Sequence, residues 1–156
     1  MTGISGTVTA LAFGGQGILR HEGMVIFVPF TAVGDEIVCT IVRKKKNFAE
    51  GKLVKLIRPG PGRIKPLCPY FGTCGGCQLQ HLDYDRQIAY KQSALQETLI
   101  RIGGMKASAP RLIPAALQWA YRRHITLHLE EKEGTFRAGY YALDNKSLIP
   151  VDCCPI

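Results

Sequence analysis

Cys68-Pro69-Tyr70-Phe71-Gly72-Thr73-Cys74-Gly75-Gly76-Cys77 places three cysteines in ten residues, spaced C-x5-C-x2-C, and divides the chain into unlike halves. Short apolar runs broken by glycines precede it; one helical stretch and a set of alternating segments follow. Two more cysteines, Cys153 and Cys154, stand at the far end. Thiolates bind iron and zinc strongly, and Gly75 and Gly76 free the backbone between the C-x2-C pair to wrap a metal. Structural zinc usually draws on two such pairs. Three clustered cysteines and one remote one are instead the pattern of a 4Fe-4S cluster, where a local motif holds three corners and a distant residue the fourth. The spacing therefore ranks iron–sulfur first, zinc second and unligated thiols third. His81 enters only in the zinc case and reads first as a polar cap on the loop before the helix. The sixth cysteine, Cys39, lies in the apolar run Glu36–Val42 and reads as a small buried hydrophobe.

Upstream of the cysteines, residues 3–58 read as β. Thr7–Leu11 is strand-like, Gly14-Gly15-Gln16-Gly17 is a turn, and Glu22-Gly23 is a tight hairpin turn between Ile18–His21 and Met24–Val28. Glu36–Lys46 and Gly51–Arg58 complete a set of five strands, which suits a small closed barrel of the OB type. The GGxG at Gly14–Gly17 lacks the strand–loop–helix setting of a phosphate loop and reads as a barrel turn. Arg58-Pro59-Gly60-Pro61-Gly62-Arg63 is a linker in which neither helix nor ladder continues.

Downstream, Asp83 is a helix N-cap, Tyr84, Ile88, Leu95, Leu99 and Ile102 recur at helical spacing, and Gly103-Gly104 ends the helix. Tyr121–Leu129 alternates like a strand, Glu130–Gly134 is a charged turn, and Thr135–Tyr141 and Leu148–Val151 read as further strands. The expected fold is mainly β with one long helix: an OB-like five-stranded barrel over 1–58, a linker, cysteine loop and helix over 59–106, and a small antiparallel sheet over 107–156.

The 156 residues carry a net charge of +8, and the segment from Arg43 to Lys65, with nine basic residues against the single acid Glu50, accounts for as much charge as the whole chain. A basic stretch on an otherwise balanced protein points to a polyanion, RNA first, against the plainer reading of lysines guarding a strand edge. Lys44, Lys45 and Lys46, with Arg122 and Arg123, are the expected phosphate contacts. Phe13, Phe48 and Tyr121 lie near them and read as packing residues ahead of base-stacking ones; His124 and His128 read as strand-surface residues. No apolar run approaches the roughly 20 residues of a membrane span, and the N-terminus lacks a signal-peptide pattern. The expected location is cytoplasmic, where thiols stay reduced and cysteines serve as ligands.

The run from Cys68 through Cys77-Gln78-Leu79-Gln80-His81-Leu82-Asp83-Tyr84 to Gln87, Tyr90 and Lys91 resembles the cluster segment of the RNA uracil-5-methyltransferases, and within them the branch acting on a uridine of 23S ribosomal RNA. The resemblance implies an N-terminal TRAM domain, an OB-like barrel matching residues 3–58, and a central domain beginning near Trp119-Ala120-Tyr121-Arg122-Arg123. It implies a 4Fe-4S cluster held by Cys68, Cys74, Cys77 and Cys154, with Cys154 preferred to Cys153 because Pro155 follows it. The family's S-adenosylmethionine-binding domain, cysteine nucleophile and general base lie downstream of the segment matched here. The chain by itself is then expected to bind RNA, with ribosomal RNA the partner the resemblance implies, and to hold a cluster without transferring a methyl group. Two other readings stand beside it: a small electron carrier, which has no need of a basic barrel, and a stand-alone RNA-binding zinc or iron–sulfur module.

Overall fold

Glu22 and Gly23 sit at φ 48° and 78°, the pair of left-handed residues a two-residue hairpin turn demands. They join two strands of a larger sheet. The computed structural model describes residues 3–106 and 108–156; Met1 and Ala107, where the first and third expected segments begin, lie outside the described residues, as does Thr2. In chain order the first strands are β1 (Ile4–Thr7), β2 (Ala10–Leu11), β3 (Gly17–His21), β4 (Met24–Val28), β5 (Glu36–Lys44) and β6 (Phe48–Arg58). They form one mixed sheet in the order β1-β5-β6-β4-β3-β2. All neighbours run antiparallel except β4 and β6, which pair in parallel with Val25 opposite Phe48.

The sheet has six strands where five were expected. Thr7–Leu11 is not continuous: the chain leaves the ladder at Val8, whose side chain is buried and whose N–H donates to the Asp35 carbonyl at 2.9 Å. The last strand also begins earlier than expected, at Phe48.

Side chains alternate between the faces of a strand. Leu19, Ile26, Val28, Ile37, Cys39 and Ala49 thereby converge with Val8 on one apolar cluster. Cys39 is fully buried there, and burial pushes its thiol up. Three register shifts between β5 and β6 bend these two long strands.

The chain divides into two compact units, one of Met1–Ile64 with His81–Pro114 and one of Lys65–Gln80 with Ala115–Ile156. In the first unit, the sheet is followed by the linker and the helix α1 (Tyr84–Arg101). Asp83 caps α1, its Oδ1 accepting from the Arg86 N–H at 2.8 Å, and Gly104 at φ 62° lies just beyond its end. Tyr90 on α1 donates its hydroxyl to the Ala12 carbonyl at 2.9 Å. Ile64 N–H donates to the His81 carbonyl at 2.9 Å and Asp83 N–H to that of Gly62 at 2.8 Å. The cysteine loop therefore leaves this unit and returns to it at one place.

The second unit holds a three-stranded antiparallel sheet, β7 (His128–Lys132), β8 (Thr135–Tyr141) and β9 (Leu148–Pro150), in that order. Tyr121–Thr126 is not a strand, and Glu130–Lys132 is one. The turn is reduced to Glu133 and Gly134, at φ 53° and 75°, again the tight hairpin geometry. Among the described residues, no helix is long and apolar enough to cross a membrane.

Candidate functional site

The cysteine loop is stitched to the end of β8. Gly75 N–H donates to the Tyr141 carbonyl at 2.9 Å, and Cys74 forms an isolated antiparallel bridge with Ala142. Glycine lets the two segments approach closely at position 75, where a Cβ would stand a tight 3.1 Å from the carbonyl oxygens of both Tyr141 and Ala142. Within the loop, Cys74 N–H donates to the Tyr70 carbonyl at 2.9 Å, and Cys68 N–H to Gln80 Oε1 at 3.2 Å. At its far side, the Tyr70 hydroxyl lies 3.2 Å from both the carboxylate and the backbone N–H of Asp152. These bonds bring the loop beside the segment that carries Cys153 and Cys154.

One cavity results, and Cys68, Cys74, Cys77 and Cys154 all line it. Cys153 reaches its wall too but is exposed, whereas the other four are half-buried. Burial pushes the Cys77 thiol up; the Gln80 amide pulls it back, and the charges of Cys154, Cys68 and Cys74 push it further. That mutual influence marks the four as neighbours. No cysteine is in a disulfide. Among the described residues, no three His, Cys, Asp or Glu side chains converge tightly enough to grip a single metal ion. Tetrahedral zinc, with bonds near 2.3 Å to sulfur, needs such convergence. The donor set is all thiol, the choice of soft metals and clusters.

His81 lies outside this cavity. It is 1% exposed in the first unit, with Nε2 donating to the Thr31 carbonyl at 3.1 Å. Burial holds its pKa below the usual imidazole value, outweighing the Thr31 hydrogen bond that raises it. The imidazole is thus a neutral packing element of the first unit, and its place as a zinc ligand falls away.

Sequence reasoning missed two residues of the cavity wall. Gln80 follows Cys77 by three positions and is 7% exposed. Tyr140 projects from β8, and burial and then its neighbour Cys154 push its hydroxyl up. Polarity between cysteines and a helix was the available signal for Gln80; a tyrosine in a strand offers none. Arg122, expected at RNA phosphates, also lines this cavity.

The lysine turn belongs to the first unit. Lys44 ends β5 and Lys45 and Lys46 fill the turn into β6, all exposed. The turn is tied by Lys45 N–H to the Phe48 carbonyl at 2.8 Å, and the Lys45 ammonium lies 5.7 Å from the Phe48 ring centroid. Phe48 packs edge-on against Phe27 at 5.6 Å, a packing role as expected. Phe13 is 83% exposed in the turn after β2, contrary to a packing role. Tyr121 and Arg123 are exposed, and His128 stacks on Tyr141 at 4.0 Å. Three of the nine basic residues are engaged internally: Arg43 with Glu50 at 3.9 Å, Arg58 with Glu36, and Arg63 with Asp35.

A six-stranded sheet bearing an exposed lysine turn is thus followed in the chain by a half-buried cysteine set. Residues 4–61 match the family described as "tRNA (uracil(54)-C(5))-methyltransferase, TRAM domain". The chain is related, over nearly its whole length, to the N-terminal portion of the RNA uracil-C5-methyltransferases. It is 57% identical to an uncharacterized RNA methyltransferase of Protochlamydia amoebophila, over 99% of the chain and 36% of that protein. It is 34% identical to the 23S rRNA (uracil(1939)-C(5))-methyltransferase of Shewanella denitrificans, over 98% of the chain and 34% of that protein. Among solved structures it resembles the Pyrococcus abyssi tRNA (uracil-54, C5)-methyltransferase in complex with S-adenosyl-L-homocysteine, at TM-score 0.68 and 32% identity, covering 97% of the chain and 32% of that structure. The chain thus spans about a third of the length of the curated relatives it matches.

Proposed function

We propose that this chain is the RNA-binding and 4Fe-4S-binding N-terminal portion of an S-adenosylmethionine-dependent RNA uracil-5-methyltransferase of the cytoplasm, with ribosomal RNA as substrate. Residues 1–58 act as a closed OB-like TRAM barrel, 59–106 as linker, cysteine loop and helix, and 107–156 as the start of a central domain. Lys44, Lys45, Lys46 and Arg123 meet phosphates.

The observation that carries this reading is the convergence of Cys68, Cys74, Cys77 and Cys154, from segments about eighty residues apart, on one cavity. A cubane binds each thiolate through a different iron, so its four sulfurs stand farther apart than those around one zinc ion. Four thiols lining one cavity, with no harder donor among them, suit a cluster held at four corners. Arg122 on the wall supplies positive charge against the thiolates. Bound there, the group would add covalent links between the loop and the C-terminal segment. The chain's own residues do the rest: Gln80 and Tyr70 brace the loop, and the lysine turn meets the RNA backbone.

Anaerobic purification followed by iron and acid-labile sulfide analysis tests this reading. The expected result is about four of each per chain. Zinc without sulfide would make it a stand-alone RNA-binding zinc module instead.

A further inference from the structure

Two buried polar atoms in the cavity wall have no partner at hydrogen-bond geometry: Gln80 Nε2 and Tyr140 Oη. Gln80 cannot escape by turning its amide over. Its Oε1 accepts from the Cys68 N–H, and a flipped amide would set two donors against each other. The NH2 group is therefore held on the side of Cys77, the cysteine whose thiol it influences. Tyr140 is anchored in β8, whose residues pair with β9 through Tyr140 opposite Ile149, so its hydroxyl is likewise delivered to one place, beside Cys154. Buried donors without acceptors are costly and uncommon. Both face sulfur, and a thiolate bound to metal is a far better acceptor than a thiol.

Resting on the cluster reading above, we infer that Gln80 and Tyr140 are positioning residues that donate N–H···S and O–H···S hydrogen bonds to Cys77 and Cys154 when those thiolates hold the cluster. Such bonds draw electron density from sulfur, weaken the two iron–thiolate bonds slightly and favour the more negative, reduced state. With Arg122 they bring donor groups into a lining that otherwise includes the apolar Phe71, Val151 and Ile156. Cys74 Sγ already accepts from the Gly76 N–H at 3.4 Å, so the cluster would have three hydrogen-bonded corners, with Cys68 the plainer one.

The test uses the whole chain, loaded with ferrous iron and sulfide, as the unaltered protein and as Tyr140→Phe and Gln80→Glu. The phenylalanine keeps the ring and removes only the donor; the glutamate keeps the acceptor for Cys68 and removes the amide donor, but its charge also lowers the potential, so for that variant the iron–thiolate bands decide. Iron and sulfide content, the iron–thiolate stretching bands in resonance Raman spectra and the midpoint potential are measured. The expected result is an unchanged iron and sulfide content, iron–thiolate bands moved to higher frequency and a lowered midpoint potential in each variant. Bands equal to those of the unaltered chain in both variants, with an unchanged potential in Tyr140→Phe, would overturn the inference, and loss of iron from Tyr140→Phe would assign that residue a structural role instead. If the unaltered chain takes up neither iron nor sulfide, the cluster reading itself falls, a result distinct from silent variants in a loaded chain.

Discussion

Arg63 reaches back across 28 residues to pair with the fully buried carboxylate of Asp35. The same carboxylate accepts from the backbone N–H of Ala32 at 2.7 Å and of Gly60 at 2.8 Å. Arg63 also donates to the Phe30 carbonyl at 3.2 Å. One acid thus binds the Phe30–Asp35 turn to the Pro-Gly linker, and the linker to the start of the cysteine loop.

Asp35→Ala is expected to lower the stability of the chain by about 3 kcal/mol, because it strands a part-buried guanidinium and two buried N–H groups. Arg63→Ala, which leaves the carboxylate two donors, is expected to cost less. Urea titration followed by far-ultraviolet circular dichroism measures both. Equal, near-zero effects would show that the turn and linker hold together without the acid.

His81 supplies a pH dependence. Its folded pKa is depressed, so the unfolded chain takes up the proton first. Stability from this residue is fully present above about pH 6.5 and is lost as pH falls from there toward the folded value, with a slope approaching about 1.4 kcal/mol per pH unit. Denaturant midpoints between pH 7.5 and 5.5 should fall in the unaltered chain and fall less in His81→Gln. Parallel curves would assign the loss to other groups.

The lysine turn governs RNA affinity in the proposed reading. Lys44→Ala with Lys45→Ala and Lys46→Ala should weaken RNA binding and flatten the plot of log affinity against log salt by about 2, at roughly 0.7 per phosphate contact on single strands. Iron content should not change. Filter binding across a salt series makes the measurement; an unaltered affinity at low salt would reduce the turn to a solvated strand edge.

Local features of this fold were legible in the sequence wherever a residue's own chemistry decides the backbone. Asp83 and Gly104 bound the helix because cap and left-handed positions demand them, and Glu22-Gly23 marks its hairpin for the same reason. Pairing partners were not legible. Nothing in Val25 or Phe48 announces that their strands run in parallel, and Tyr121–Thr126 alternates as a strand would but makes no ladder. Alternation states what a strand could bury, whereas a ladder needs a neighbour. The same division runs through the site: cysteines announce themselves by type and spacing, while Gln80 and Tyr140 become part of the cavity only through the path of the chain.

Gly139 limits how closely β8 and β9 can approach. A Cβ at this position would stand 2.0 Å from the Ile149 carbonyl oxygen, well inside any real contact. Gly139→Ala must therefore push β9 away, at a cost of about 1–3 kcal/mol typical of overpacking. Because β9 leads directly into Val151–Cys154, the displacement should also loosen retention of iron. Thermal unfolding and the rate of iron loss to a chelator read the two effects together.

The last pair of cysteines separates ligand from neighbour. Cys154 is half-buried and its charge acts on Cys77 and Tyr140, while Cys153 is exposed and exerts no such influence on Cys77. Adjacent residues on an extended segment point to opposite sides, so only one of the two can face the cavity fully. Cys154→Ser should abolish most of the bound iron and sulfide, as should Cys68→Ser, Cys74→Ser or Cys77→Ser. Cys153→Ser should retain the full complement. Metal analysis of the five serine variants, purified anaerobically side by side, decides the matter: if Cys153→Ser empties the site and Cys154→Ser does not, the fourth ligand is the exposed cysteine, and the Tyr140 hydroxyl faces a sulfur that carries no iron.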